Sequence, residues 1–259
     1  MSSLPERTNH RVAMLIGQLY AAAPGHFPEL TCRRIEQDAL TLCAASGLAA
    51  LEGHVLLGAL APIRFDRASF EAHFAEARRL APDQFETWCN EALFSIYFGL
   101  GNRVADIVAE RRPQIFGNIE MAALIYDVCS WSCMVNTAKE LRDFLTSAGR
   151  ELAEPVLPLD GLARMLKDRG LDERALVERM SVAAEAAILV VSGPMRGFHV
   201  VGNETMGYAY EMLFDADTAR VVEAGPAVAE AVTQAFEDDL SDLVTFSAAR
   251  YLGAVAHGC

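Results

Sequence analysis

Up to about residue 155 the apolar residues recur with a helical period, and glycine or proline interrupts them before any run grows long. From Pro5 to Ala22, Val12, Leu15, Ile16, Leu19 and Tyr20 fall at i, i+3, i+4, i+7 and i+8, one stripe of a helix, and Pro24-Gly25 ends the pattern. A second helix is predicted from Glu29 to Ala45, carrying Ile35, Leu40 and Leu42 and stopping at Ser46-Gly47. Neither segment shows the β-branched alternation of a strand. Short amphipathic helices of this kind must cover one another's apolar faces, so the pattern predicts a stack of antiparallel helices.

The next stretch gives that stack a more definite form. Between Leu48 and Pro82 a helix through Gly53 to Gly58 is followed by Pro62, then by a second helix through Phe70, Phe74 and Ala77 that closes at Leu80-Ala81-Pro82. A small residue in the first helix lets the two approach closely, the aromatic fills the space beside it, and the proline stops the second helix. Gly58, Phe74, Ala77 and Pro82 in this order resemble the tetratricopeptide repeat. Moving on by the 34 residues of that repeat turns His54 into Trp88 and Gly58 into Ala92, and places a hairpin turn at Gly99-Leu100-Gly101-Asn102. This second unit is a partial copy, with Val104 and Arg111 at two positions the family fills with alanine. A third step reaches Ala122, Tyr126 and Ala138, with Arg142 where the aromatic belongs. The resemblance covers residues 48 to about 150. It implies a helical scaffold with a concave groove lined by the first helix of each hairpin, and puts His54, Trp88, Asn90, Glu91 and Asp127 forward as partner-binding residues.

Glu151-Leu-Ala-Glu-Pro155-Val-Leu-Pro158 reads as a domain boundary, because two prolines three residues apart cannot continue a helix. The expected domains are a helical one over 1–155 and an α+β one over 156–259. Helices are predicted at Asp160–Asp168 and Asp172–Ala187, each opening on an aspartate that can cap free N–H groups, with Gly170 as a C-cap. Strand-like runs follow at Ile188–Val191, Phe198–Val201, Tyr208–Phe214 and Ala219–Glu223, separated by turn residues, as in a small antiparallel meander. Tyr208, Tyr210, Met212 and Phe214 alternate and so share one face. A helix at Pro226–Phe236 and an apolar segment at Leu243–Val255, strand or helix, complete the unit. The expected fold class is therefore α+β and mainly α-helical.

Charge and composition exclude several function classes. An apolar share of 52% with 22% charged residues is that of a globular chain. Residues 200–259 hold ten acidic and two basic side chains, −8 of the chain's −13, which repels phosphate backbones and argues against nucleic-acid binding. The longest apolar stretch, Ala183 to Val191, carries Glu185 and runs into Ser192-Gly193-Pro194, far short of the roughly 20 residues a spanning helix needs. Met1 to Arg11 has no apolar core of a secretory signal. Cys32, Cys43, Cys89, Cys129, Cys133 and Cys259 are scattered without a disulfide framework. A cytoplasmic protein with reduced thiols is expected. Its basic residues are twenty arginines and only Lys139 and Lys167, a bias of GC-rich bacterial coding sequence.

No catalytic or metal signature stands in the chain. Cys129 and Cys133 fall on one face of the predicted helix, but lack partners with ligand spacing and read as two buried small residues. Among His10, His26, His54, His73, His199 and His257 there is no HExxH and no i, i+4 pair, and Glu52–His54 and Glu71–His73 are two apart, on different sides of a helix. No metal and no cofactor is expected. No G-x-S-x-G, P-loop or G-x-G-x-x-G is present. The most enzyme-like segment is Ser192-Gly-Pro-Met-Arg196-Gly-Phe-His199, where a turn would present an arginine and a histidine in a pocket with Glu204 or Glu211 as carboxylate partner. Leu162 to Val182 resembles the opening of a phage-repressor helix-turn-helix, yet the helix that would read DNA, starting at Ala183, carries no base-reading donor. The leading expectation is a protein-interaction adaptor or chaperone-like scaffold with a protein partner, leaving a homo-oligomer open. An enzyme, or an accessory subunit of one, with a pocket in the α+β domain is the alternative.

Overall fold

The computed structural model of this chain describes residues 28–152, 157–238 and 240–251, together with Leu15. The helix expected at Pro5–Ala22 otherwise lies outside the described residues, as do His10, His26, His257, Cys259 and residues 153–156 of the expected boundary. Within the described residues the fold is α+β, ten α-helices and one three-stranded sheet. The chain divides into two compact units, the first ending at Phe94 and the second beginning at Ser95.

The first unit contains α1 (Glu29–Cys43), α2 (Leu48–Arg64) and α3 (Arg67–Leu80), with α4 (Phe85–Ser95) running up to the division. The face α1 buries is Cys32, Ile35 and Ala39, while Leu40 is left 54% exposed. Helix α2 is buried nearly all round between Ala50 and Pro62, as an apolar helix must be. Pro62 does not end it. It sits in the last turn, and the helix stops where Phe65 turns left-handed (φ 53°) and Asp66 accepts a hydrogen bond from the Ser69 N–H at 2.9 Å, capping α3. Gly58 and Phe74 meet across this hairpin: a Cβ on Gly58 would lie 2.5 Å from the Phe74 ring. The Arg64 guanidinium grips Glu36 with both nitrogens, at 2.5 and 2.8 Å.

In the second unit a short 3-10 turn, Ile96–Phe98, leads into α5 (Gly101–Phe116), α6 (Ile119–Trp131) and α7 (Val135–Ser147), then α8 (Leu159–Asp168) and α9 (Arg174–Val191). The turn predicted at Gly99-Leu100-Gly101-Asn102 is present, with Gly99 at φ 67° and its missing Cβ making room for Ala184 of α9. Asn118 caps α6 through the Glu120 and Met121 N–H groups. Gly170 takes the left-handed conformation (φ 65°) after α8, and Asp172 accepts from the Arg174 N–H at the start of α9. Asp160 lies in the first turn of α8, which Pro158 precedes as N-cap.

The sheet then forms from β1 (Met195–Asn203), β2 (Gly207–Phe214) and β3 (Val244–Arg250), in the order β1-β2-β3. The β1–β2 hairpin is antiparallel as expected, and β3 pairs with β2 in parallel. That direction requires a crossover, supplied by α10 (Thr218–Ala235). Two expected strands are therefore helical. Ile188–Val191 continues α9, because Ala184, Ala187 and Val191 extend its buried stripe, and Ala219–Glu223 forms the first turns of α10, capped by Asp217. The undecided final segment is a strand up to Arg250, and residues 252–255 lie outside the described residues. Helix α9 is unbroken through Ser181–Ala183, so the helix-turn-helix resemblance fails where its turn should be. Tyr208, Tyr210, Met212 and Phe214 are all buried on one sheet face, where Phe198 stacks on Tyr210 (5.0 Å) and the Tyr210 O–H donates to the Trp131 carbonyl at 2.7 Å.

Candidate functional site

Helices α7 and α8 each have two clear faces. Val135, Ala138, Leu141 and Leu145 of α7, and Leu159, Leu162 and Leu166 of α8, are buried. The opposite stripes, Asn136, Lys139, Glu140 and Asp143 on α7 and Asp160, Ala163, Arg164 and Lys167 on α8, recur at helical spacing and line a groove of about 780 Å³ together with Gly170, Leu171 and Asp172. This volume falls within the roughly 300–1,000 Å³ of ligand pockets. A second cleft, between Val232 of α10 and Phe246 of β3, is about 110 Å³ and too small for that class.

Ion pairs fix the groove walls. Asp160 receives the Lys139 ammonium at 2.7 Å and both terminal nitrogens of Arg142 at 2.9 and 3.0 Å, tying α7 to α8. Arg142 first and Lys139 next hold the Asp160 carboxyl far below the usual carboxylate range. Arg164 reaches Glu204 in the β1–β2 turn at 2.7 Å, and Arg112 of α5 pairs with Glu140. The first turn of α7 is anchored by Glu173, which accepts from the Thr137 N–H and hydroxyl at 2.9 and 2.5 Å. Among the described residues Lys167 makes no ion pair. Both lysines of the chain thus border one groove whose lining carries no histidine, cysteine, serine or tyrosine. Its carboxylates, amide and cationic side chains offer charge and hydrogen bonds for recognition.

The residues expected to bind a partner lie elsewhere. Trp88 is 4% exposed and sits edge-on to Phe85, and Glu91 is 3% exposed and paired with Arg78, so both are buried. Asn90 is half-buried and Asp127 is exposed, and neither lines the groove. His54 has a neighbour the sequence pattern did not assign it: its Nδ1 is 3.1 Å from Nδ1 of His73. His54 stands one turn before Gly58, and His73 immediately before Phe74, so the Gly58–Phe74 contact carries the two imidazoles together. Burial first, then His54, lowers the proton affinity of His73.

Arg196 and His199 do not share a pocket. Arg196 is the extra residue of a bulge between Met195 and Gly197, on the strand face opposite His199, and 6% of its side chain is exposed. Its nearest carboxylate is Asp215 at 3.4 Å, Nη1 is buried without a hydrogen-bond partner, and burial lowers its proton affinity. His199 faces solvent and pairs across the strands with Glu211 at 3.4 Å, while Glu204 belongs to Arg164. Cys133 lies beyond the end of α6 in a left-handed turn (φ 57°), so it does not share a helix face with Cys129. Both thiols are fully buried and pushed up by that burial. Among the described residues no group of three or more His, Cys, Asp or Glu is placed to hold a metal ion, and no helix is long and apolar enough to cross a membrane. Comparison with protein-family models, with curated proteins and with solved structures finds no match to this chain.

Proposed function

We propose that this chain is a protein-interaction adaptor that receives a segment of a partner protein in the groove between α7 and α8. The observation that carries the reading is the pair of facing stripes at i, i+3, i+4 and i+7, four residues on each helix, which match the periodicity of a third helix laid between them. The lining side chains carry charges of both signs, so the fitting partner segment does too, with a carboxylate opposite Lys167. The helices of the same unit, with Arg112 of α5 on Glu140 and Glu173 on the first turn of α7, serve in this reading as the scaffold that holds the groove. An adaptor of this kind works in the cytoplasm, where buried thiols stay reduced.

Affinity purification from the native host tests the proposal with three baits: the unaltered chain, Lys167→Glu, and Asp143→Lys. A stoichiometric protein retained by the first and lost from both reversed-charge baits is the expected result. Retention of the same partners by all three would remove the groove from the interaction.

A further inference from the structure

Two imidazoles that point Nδ1 at Nδ1 across 3.1 Å hold a relationship only two chemistries satisfy. Either one ring donates its proton to the other, or both lone pairs converge on a cation. We propose that His54 and His73 form a binding site for a late first-row divalent metal ion, Zn²⁺, Ni²⁺ or Cu²⁺. A metal bound at about 2.0–2.1 Å by two nitrogens keeps them about 2.9 Å apart at a right angle and about 3.4 Å apart at the tetrahedral angle. The observed 3.1 Å lies between these two bites, so a ring displacement of a few tenths of an ångström suffices for either geometry.

The donors are also well held. His54 is on α2 and His73 on α3, and the Gly58–Phe74 contact locks those helices one turn away. The rings are tilted at 42° with centroids 5.3 Å apart, and both residues are half-buried. Imidazole nitrogen is a borderline donor that favours copper, nickel and zinc over magnesium or calcium. Metal ligation needs neutral rings, and the environment of His73 favours its neutral form. Glu76, one turn beyond His73, has both oxygens engaged by Arg79 at 2.8 and 2.6 Å, so it is not a ready third ligand. The bound ion therefore keeps open positions for water, or for a donor brought by another molecule, and the site is an exchangeable one.

The test uses the full chain stripped with chelator and titrated calorimetrically with Zn²⁺, Ni²⁺ and Cu²⁺ at pH 7.5. The unaltered protein is expected to take up one equivalent of at least one of these ions. His54→Gln and His73→Gln are each expected to weaken that binding at least about tenfold, by loss of one of two protein ligands. His199→Gln, a solvent-facing histidine outside the pair, is expected to leave it unchanged. X-ray absorption of the metal-loaded unaltered protein provides a measurement that needs no variant: two imidazole nitrogens and no sulfur scatterer are expected. Absence of saturable binding, binding that survives both single variants, or sulfur in the first coordination sphere overturns the proposal and leaves the two rings as a hydrogen-bonded pair.

Discussion

Replacing Gly58 by alanine probes the contact on which the α2–α3 hairpin is built. A Cβ there would lie 2.5, 2.7 and 3.1 Å from Cε2, Cδ2 and Cζ of Phe74, whose side chain is fully buried, so the ring must move by about 1 Å with nowhere open to go. In helix propensity alone the change is favourable by about 1 kcal/mol. Overpacking a filled site costs about 1–3 kcal/mol, so the net expectation is a loss of about 1 kcal/mol, reaching 2 if the ring cannot adapt. That corresponds to a fall in the midpoint of thermal unfolding of about 2–4 °C per kcal/mol for a chain of this size class. Phe74→Leu removes the ring atoms that clash. In that background Gly58→Ala should be neutral or stabilising, so a double-mutant cycle in urea should give a coupling of about 1–2 kcal/mol between the two positions. If Gly58→Ala is as stable as the unaltered protein, or destabilises equally with leucine at position 74, the close approach is not what the glycine is for.

Other changes test the sites individually. The proton affinity of His73 is lower in the folded protein than the ordinary imidazole value near about 6.5. The unfolded chain therefore binds more protons, and the stabilisation is complete above that pH and lost as pH falls through the folded value. Urea unfolding between pH 7.5 and 5 should accordingly show a steeper decline for the unaltered chain than for His73→Gln, and equal slopes would contradict the burial of that ring. Tyr210→Phe removes the O–H that serves the Trp131 carbonyl, and should cost about 1–2 kcal/mol in denaturant unfolding; unchanged stability would mean the carbonyl finds another donor. Arg196→Met replaces a buried guanidinium whose Nη1 has no partner with an apolar chain of similar length, so stability should hold or rise, and a loss beyond about 2 kcal/mol would show that its contact with Asp215 matters more than its desolvation.

Local chemistry was legible in this chain wherever a short stretch decides its own conformation. The spacing of apolar positions between breakers marks α1 to α3, Asp172 and Gly170 mark the start of α9 and the end of α8 by their capping chemistry, and the alternation of Tyr208, Tyr210, Met212 and Phe214 marks the buried face of β2. Gly58 and Phe74 went further, since a small residue and an aromatic at hairpin spacing specify which helix faces meet. What could not be read was everything that depends on distant partners. Ile188–Val191 and Ala219–Glu223 are short β-branched runs with no strand beside them, and burial of the longer stripes of α9 and α10 makes them helical. Arg196 reads as a turn residue until β1 is seen to pair with β2 from Met195 onward; within that strand it lies three residues from His199 and so on the opposite face. The α7–α8 groove follows the same rule: Lys139 and Lys167 are 28 residues apart in the chain, and only the packing of Leu141 and Leu145 in one helix and Leu162 and Leu166 in the other turns their charged stripes toward a common space. Sequence by itself determined most of the helices, because those are set by interactions within a few residues; tertiary structure decided the end of α9, the start of α10 and which side chains share a site, because these are set by burial between segments far apart in the chain.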